Sequence, residues 1–157
     1  MKKDIRIIKQ SNEVFVMTVI GFSFTKMLIE KNAPIKGKVS INNNVGIKSL
    51  EETKLNINSD RKALKLDFEF TSSYEPDIGK ILLTGEVIYL TDKTKADEAV
   101  KNWKKNKKIE KEMMTKVLNN VLAKCNIQAL FLSDKMNLPP PIPLPKVDEK
   151  GRSESAS

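Results

Sequence analysis

The chain has 157 residues, 39% of them hydrophobic, with 28 Lys and Arg against 20 Asp and Glu, giving a formal charge of +8. The absence of histidine removes the usual general base near neutral pH, the commonest metal ligand and every triad that needs an imidazole. One cysteine, Cys125, excludes an intramolecular disulfide and cannot alone hold zinc, so the composition predicts one disulfide-independent, cytoplasmic domain with a real core.

Met1 to Gln10 alternates charges with Ile5, Ile7 and Ile8, and Val14 to Thr25 then carries no charge. Phe22 and Phe24 stand where a signal peptide would need small residues, and the run is too short to span a bilayer. Its period of two predicts a strand, with Val14, Val16, Ile20, Phe22 and Phe24 on one side and Phe15, Met17 and Val19 on the other. A strand apolar on both sides either lies between two layers or offers one face to a ligand.

Asn32-Ala33-Pro34 breaks that pattern. Alternation resumes from Lys36 to Lys48 through Val39, Ile41, Val45 and Ile47, interrupted by the turn-forming Asn42-Asn43-Asn44, and extends toward Leu55 and Ile57. The clearest strand is Leu64 to Phe70, where Leu64, Leu66, Phe68 and Phe70 oppose Lys65, Asp67 and Glu69. Ser72 to Gly79 predicts a hairpin connection and Ile81 to Leu90 the returning strand, so the sheet is antiparallel.

Thr91 to Lys108 reads as a solvated, lysine-rich helix with a thin stripe of Ala96, Ala99, Val100 and Trp103. Beyond Ile109, Met113, Met114, Val117, Leu118, Val121, Leu122 and Cys125 recur at helical spacing and predict a long helix with one face to be covered. The segment Leu138-Pro139-Pro140-Pro141-Ile142-Pro143-Leu144-Pro145 ends it. Its prolines remove donors and favour extended backbone, predicting a stiff strap that docks through Leu138, Ile142 and Leu144. Residues 1–147 are read as the domain and 148–157 as a disordered polar tail.

This order of elements resembles the SecB family of export chaperones. Asn32-Ala33-Pro34 is similar to the family's turn after its first strand, Leu64 to Leu90 to its central strand pair, and Ser133 to Pro145 to its helix exit and proline loop. The resemblance implies an α+β fold, an antiparallel four-stranded sheet backed by a long C-terminal helix. It also implies a dimer of dimers that holds unfolded chains in apolar surface grooves. Ile35 to Val45 lacks the aromatic residues of that family, and Lys146 to Ser157 is polar where the family continues with an apolar helix.

The expected function is therefore capture of non-native polypeptide by a homo-oligomer, with Phe15, Met17, Phe22, Phe24, Phe131, Met136 and Leu138 as candidate contacts. The alternative is a nucleic-acid- or ribosome-associated protein that places Lys101, Lys104, Lys105, Lys107, Lys108 and Lys111 on phosphates, with Trp103 available for stacking. No catalytic residue, metal ligand or cofactor site is assigned. The acidic pairs Glu51-Glu52, Asp97-Glu98 and Glu110/Glu112 lie in polar or lysine-dense stretches, and the glycines are scattered singly rather than grouped as a phosphate loop.

Overall fold

A computed structural model describes residues 18–55, 60–148 and 153–154. Four long strands, β1 (Thr18–Lys31), β2 (Ser40–Thr53), β3 (Arg61–Glu75) and β4 (Gly79–Asp92), form one sheet in the order β1-β4-β3-β2, antiparallel throughout. Consecutive strands β1 and β2 thus occupy opposite edges, and residues 32–39 must cross the end of the sheet. The Asn32 and Ala33 amides donate to the Ile78 carbonyl at 2.8 and 3.4 Å, and the Asn32 side chain donates to Asp77 at 3.2 Å, so the β3–β4 turn pins the start of that crossing.

Period-two patterning divides the sheet. Leu64, Leu66, Phe68, Phe70 and Tyr74 of β3, with Ile81, Leu83, Val87 and Tyr89 of β4, are buried on one face. The other face is polar and laced with cross-strand pairs, among them Lys65 to Glu51 at 2.9 Å and Lys48 to Glu69 at 3.4 Å. Such exposed pairs fix register more than they add stability.

Two helices cover the apolar face. Helix α1 (Lys93–Asn106) starts at Asp92, whose carboxylate accepts from the Lys95 amide at 2.9 Å, and ends at Lys107 in the left-handed region. It buries Ala96, Ala99 and Trp103. Helix α2 (Lys111–Lys135) lies mainly over β4 and β1 and buries Met113, Val117, Val121, Cys125, Ala129 and Ser133, one residue per turn. Its end is a Schellman motif: Asn137 takes φ 52, the Leu138 amide donates to Ser133 O at 2.9 Å, and the Asn137 amide donates to Asp134 O at 3.2 Å. Buried Leu138 supplies the apolar contact that accompanies such a cap. A two-residue pair, β5 (Lys146–Val147) with β6 (Ser153–Glu154), follows the strap; the remainder of the tail after Asp148 lies outside the described residues.

Several expectations are corrected. Bulges between Val19 and Gly21 and between Phe24 and Lys26 shift the phase of β1, so Val19 joins Phe22 and Phe24 against the core while Ile20 is exposed. Asn42-Asn43-Asn44 makes no turn, because β2 runs straight through it, paired with Ser73, Ser72 and Thr71. The hairpin connection is shorter than Ser72 to Gly79: strand pairing continues to Glu75, and Pro76, Asp77 and Ile78 alone form the turn, with Asp77 at φ 46. Leu55 lies beyond β2, and Ile57 falls outside the described residues.

Candidate functional site

Prolines leave the strap with carbonyls to satisfy and few amides of its own. The side chains that meet those carbonyls come from one end of the apolar face. The Tyr74 hydroxyl donates to Pro139 O at 2.8 Å, Asn43 Nδ2 donates to Pro141 O at 2.7 Å, and Ser72 Oγ donates to Asn43 Oδ1 at 2.5 Å. Ser72 and Asn43 are direct cross-strand partners, so β3 holds the Asn43 amide oriented toward the strap. Leu138 and Pro141 are buried, Ile142 is half-buried, and Leu144 is 44% exposed. The strap therefore lies on the body, as its composition predicts.

Between the strap and the start of β2 runs an open groove of about 830 Å³. Val39, Ile41 and Asn43 form one wall and Pro139 to Lys146 the other. A smaller cavity of about 220 Å³ lies between the strap and the end of α2, beside Leu130, Leu138 and Leu144. A third depression, about 410 Å³, lies on the opposite, charged face over Lys65, Asp67 and Glu86. Among the described residues no group of three or more His, Cys, Asp or Glu is placed to hold a metal ion.

The candidate polypeptide contacts fall in different places. Phe15 and Met17 lie outside the described residues. Phe22 and Phe24 are half-buried at the β1 side, where their ring centroids are 5.2 and 6.1 Å from that of Phe68. Phe131 is 57% exposed on the outer side of α2, one turn from Ile127, which is 63% exposed. Met136 is half-buried at the helix exit, its carbonyl accepting from Lys31 Nζ at 3.2 Å, and Leu138 is buried beneath the strap. The structure thus brings Met136 and Leu138 to the strap and leaves Phe22 and Phe24 near the opposite edge. Sequence reasoning missed Val39, Ile41 and Asn43 as groove residues, and only the adjacency of the strap identifies them.

Lys101, Lys104, Lys105, Lys107, Lys108 and Lys111 are all exposed around the α1–α2 connection. Trp103 is only 8% exposed, and Lys107 Nζ sits 5.1 Å from its ring centroid. The indole is a core group covered by an ammonium, and is not free to stack on a base.

Burial also sets the titrating groups. It pushes the Tyr74 and Tyr89 hydroxyls and the Cys125 thiol up to about 12, with Glu112 and Glu110 adding to the effect at Tyr89. A thiol held in its neutral form is neither a nucleophile nor a metal ligand, so Cys125 is a packing residue.

Sheet order, the helix over the apolar face and the proline strap define a SecB-like fold. A solved structure with this architecture is the Mycobacterium tuberculosis SecB-like chaperone Rv1957, in complex with a ChAD peptide from the HigA1 antitoxin Rv1956. The alignment covers 85% of this chain and 93% of that one, with a TM-score of 0.52 and 7% sequence identity. No family model matches the sequence, and no curated protein matches it. Among the described residues no helix is long and apolar enough to cross a membrane.

Proposed function

We propose that this protein is a chaperone-like binder of non-native polypeptide, acting as a homo-oligomer. The groove between β2 and the Leu-Pro strap carries this reading. It is open, lined largely by aliphatic and proline side chains, and built on a rigid sheet edge, which suits an extended apolar segment. The SecB-like fold supports it, since the structurally similar mycobacterial chaperone binds a peptide. Oligomerisation is supported by Ile127 and Phe131 on the outer side of α2, where a second copy would cover them.

The test is suppression of aggregation of an unfolded client, measured beside titration with single-stranded RNA at two salt concentrations. Replacing Ile41 and Leu144 by serine is expected to weaken protection, and added salt to leave it largely unchanged, because apolar burial releases no counterions. Replacing Lys104, Lys105, Lys107 and Lys108 by glutamine is expected to leave protection intact. Intact protection in the serine variant, together with salt-sensitive RNA binding lost in the glutamine variant, would assign the protein to nucleic acid instead.

A further inference from the structure

We propose that the corner where α1 ends and α2 begins is a docking surface for the phosphate backbone of a nucleic-acid duplex, held without regard to base sequence. This is a second binding activity, separate from the polypeptide groove. The 25-residue helix α2 has the corner at its start and the strap at its end, roughly 37 Å apart.

Residues 101–111 hold six lysines and one acid, Glu110, so six minus one, or five, of the chain's eight excess charges fall in this one stretch. Lys101, Lys104 and Lys105 lie on the solvent side of α1, away from buried Ala96, Ala99 and Trp103, and Lys107, Lys108 and Lys111 continue the exposed row into α2. The lysines of β2 and β3 are all matched to acids: Lys48 meets Glu69, Lys62 meets Glu52 and Asp97, and Lys65 meets Glu51, each at 3.4 Å or less. At the corner none of Lys101, Lys104, Lys105, Lys108 and Lys111 has a carboxylate within ion-pairing distance among the described residues.

Folding does not account for that excess. Asp97, one turn before Lys101 on α1, is turned to Lys62 of β3 at 2.8 Å, and Glu112, beside Lys111, pairs with Lys116 at 3.2 Å, so two of the acids bordering the corner are engaged elsewhere. Lys104 and Lys105 suit the negative end of α1, but Lys108 and Lys111 stand at the start of α2, where the helix dipole is positive and a cation is disfavoured. Like charges crowded at such a helix end favour an anionic partner that neutralises them.

The surroundings decide among polyanions. Trp103 is buried beneath Lys107, Val100 and Ile109 are half-buried, and no large apolar side chain of residues 93–111 is exposed. Basic helices that bind an anionic bilayer also insert Trp, Phe or Leu, and proteins that hold single strands stack bases on aromatic rings; the corner offers neither. What remains is charge alone, and a duplex presents it densely, with one phosphate charge per about 1.7 Å of axis. Lysine, a compact point charge, meets phosphates from many directions and so sets no base sequence.

The experiment uses the full chain and two duplex DNAs of unrelated sequence, each of about 20 base pairs, titrated at salt concentrations from about 50 to about 200 mM. With roughly four or five phosphates neutralised, both duplexes should bind alike and weaken about a hundredfold or more across that range. Replacing Lys101, Lys104, Lys105 and Lys108 by glutamine should remove most of the salt dependence and weaken binding at the lower salt by about tenfold or more, with client protection unchanged. Lys107 is kept because it covers Trp103. Replacing Lys26, Lys36, Lys80 and Lys124, exposed elsewhere, makes the same change in charge and should leave binding within about threefold of the parent. Equal losses in the two variants would reduce the effect to net charge and overturn the surface. A single strand bound more tightly than the duplex, or phosphatidylserine vesicles bound at a salt concentration where the duplex is not, would also overturn it and assign the corner to that partner. Loss of client protection in the first variant would overturn it by making the corner part of the client site. No duplex binding at the lower salt would overturn the proposal and leave the polypeptide reading standing.

Discussion

Gly85 lies directly opposite Phe68 across the β3–β4 pair, and the Phe68 ring occupies the space a side chain at Gly85 would need: a Cβ there would meet Phe68 Cζ at 2.6 Å and crowd the Ser23 carbonyl of β1. The missing side chain lets Phe68 lean across β4 and stack on Phe22 of β1. One glycine in a central strand thus ties three strands together.

Gly85→Ala is therefore expected to destabilise the fold by about 2–3 kcal/mol, since β1 and β4 would have to part as well as the ring shift. Gly46→Ala, which meets nothing within 4 Å, is the control and should lie within about 0.5 kcal/mol of the parent or slightly above it. Urea unfolding midpoints compare the two. A Gly85→Ala midpoint equal to that of Gly46→Ala would show that the contact is not restrictive.

Tyr74→Phe removes the donor to Pro139 O, and Asn43→Ala removes the donor to Pro141 O. Each should cost about 1 kcal/mol, and the pair should couple because both hold one short segment. Backbone N–H order parameters at Ile142 and Leu144, read by NMR relaxation, should fall in both variants. If the order there matches the parent in the double variant, the strap is held by its apolar contacts alone.

Tyr74, Tyr89 and Cys125 all have folded-state values raised to about 12 from ordinary values of 10.0, 10.0 and 9.0. Folding thus favours their neutral forms, so the stability they contribute is complete below about pH 9 and is lost as pH rises through 9–12, where the unfolded chain ionises first. Tyrosinate absorbance should rise together with unfolding near the top of that window, since both tyrosines of the chain are buried. A rise centred at pH 10 with the fold intact would contradict this. Tyr89→Phe should be close to neutral at pH 7, because the buried Tyr89 hydroxyl has no hydrogen-bond partner among the described residues.

Self-association should depend on the outer side of α2. Phe131→Lys combined with Ile127→Lys is expected to yield a smaller species by light scattering across a tenfold dilution, with the helix content unchanged. An unaltered mass would move the interface elsewhere, and a parent that is monomeric at every concentration would remove the oligomer from the proposal.

Local pattern alone determined much of this protein. The alternation from Leu64 to Phe70 places those side chains on the buried face, and the four-residue recurrence from Met113 to Cys125 marks the packed face of α2, because strand and helix periods are properties of the backbone. The proline run likewise ends α2 and leaves a strap without a backbone ladder, bent at Pro141 and Ile142. Long-range adjacency lay beyond it. The bulges that exchange Val19 for Ile20 arise from register against β4, and Asn42-Asn43-Asn44, a turn by composition, is held as strand by pairing with Thr71, Ser72 and Ser73. Asn43 meets Pro141 although 98 residues separate them in sequence, and that contact creates the groove. Side-chain period is written into each short segment, whereas the choice of which segments become neighbours is made by the free energy of the whole sheet, helix and strap together.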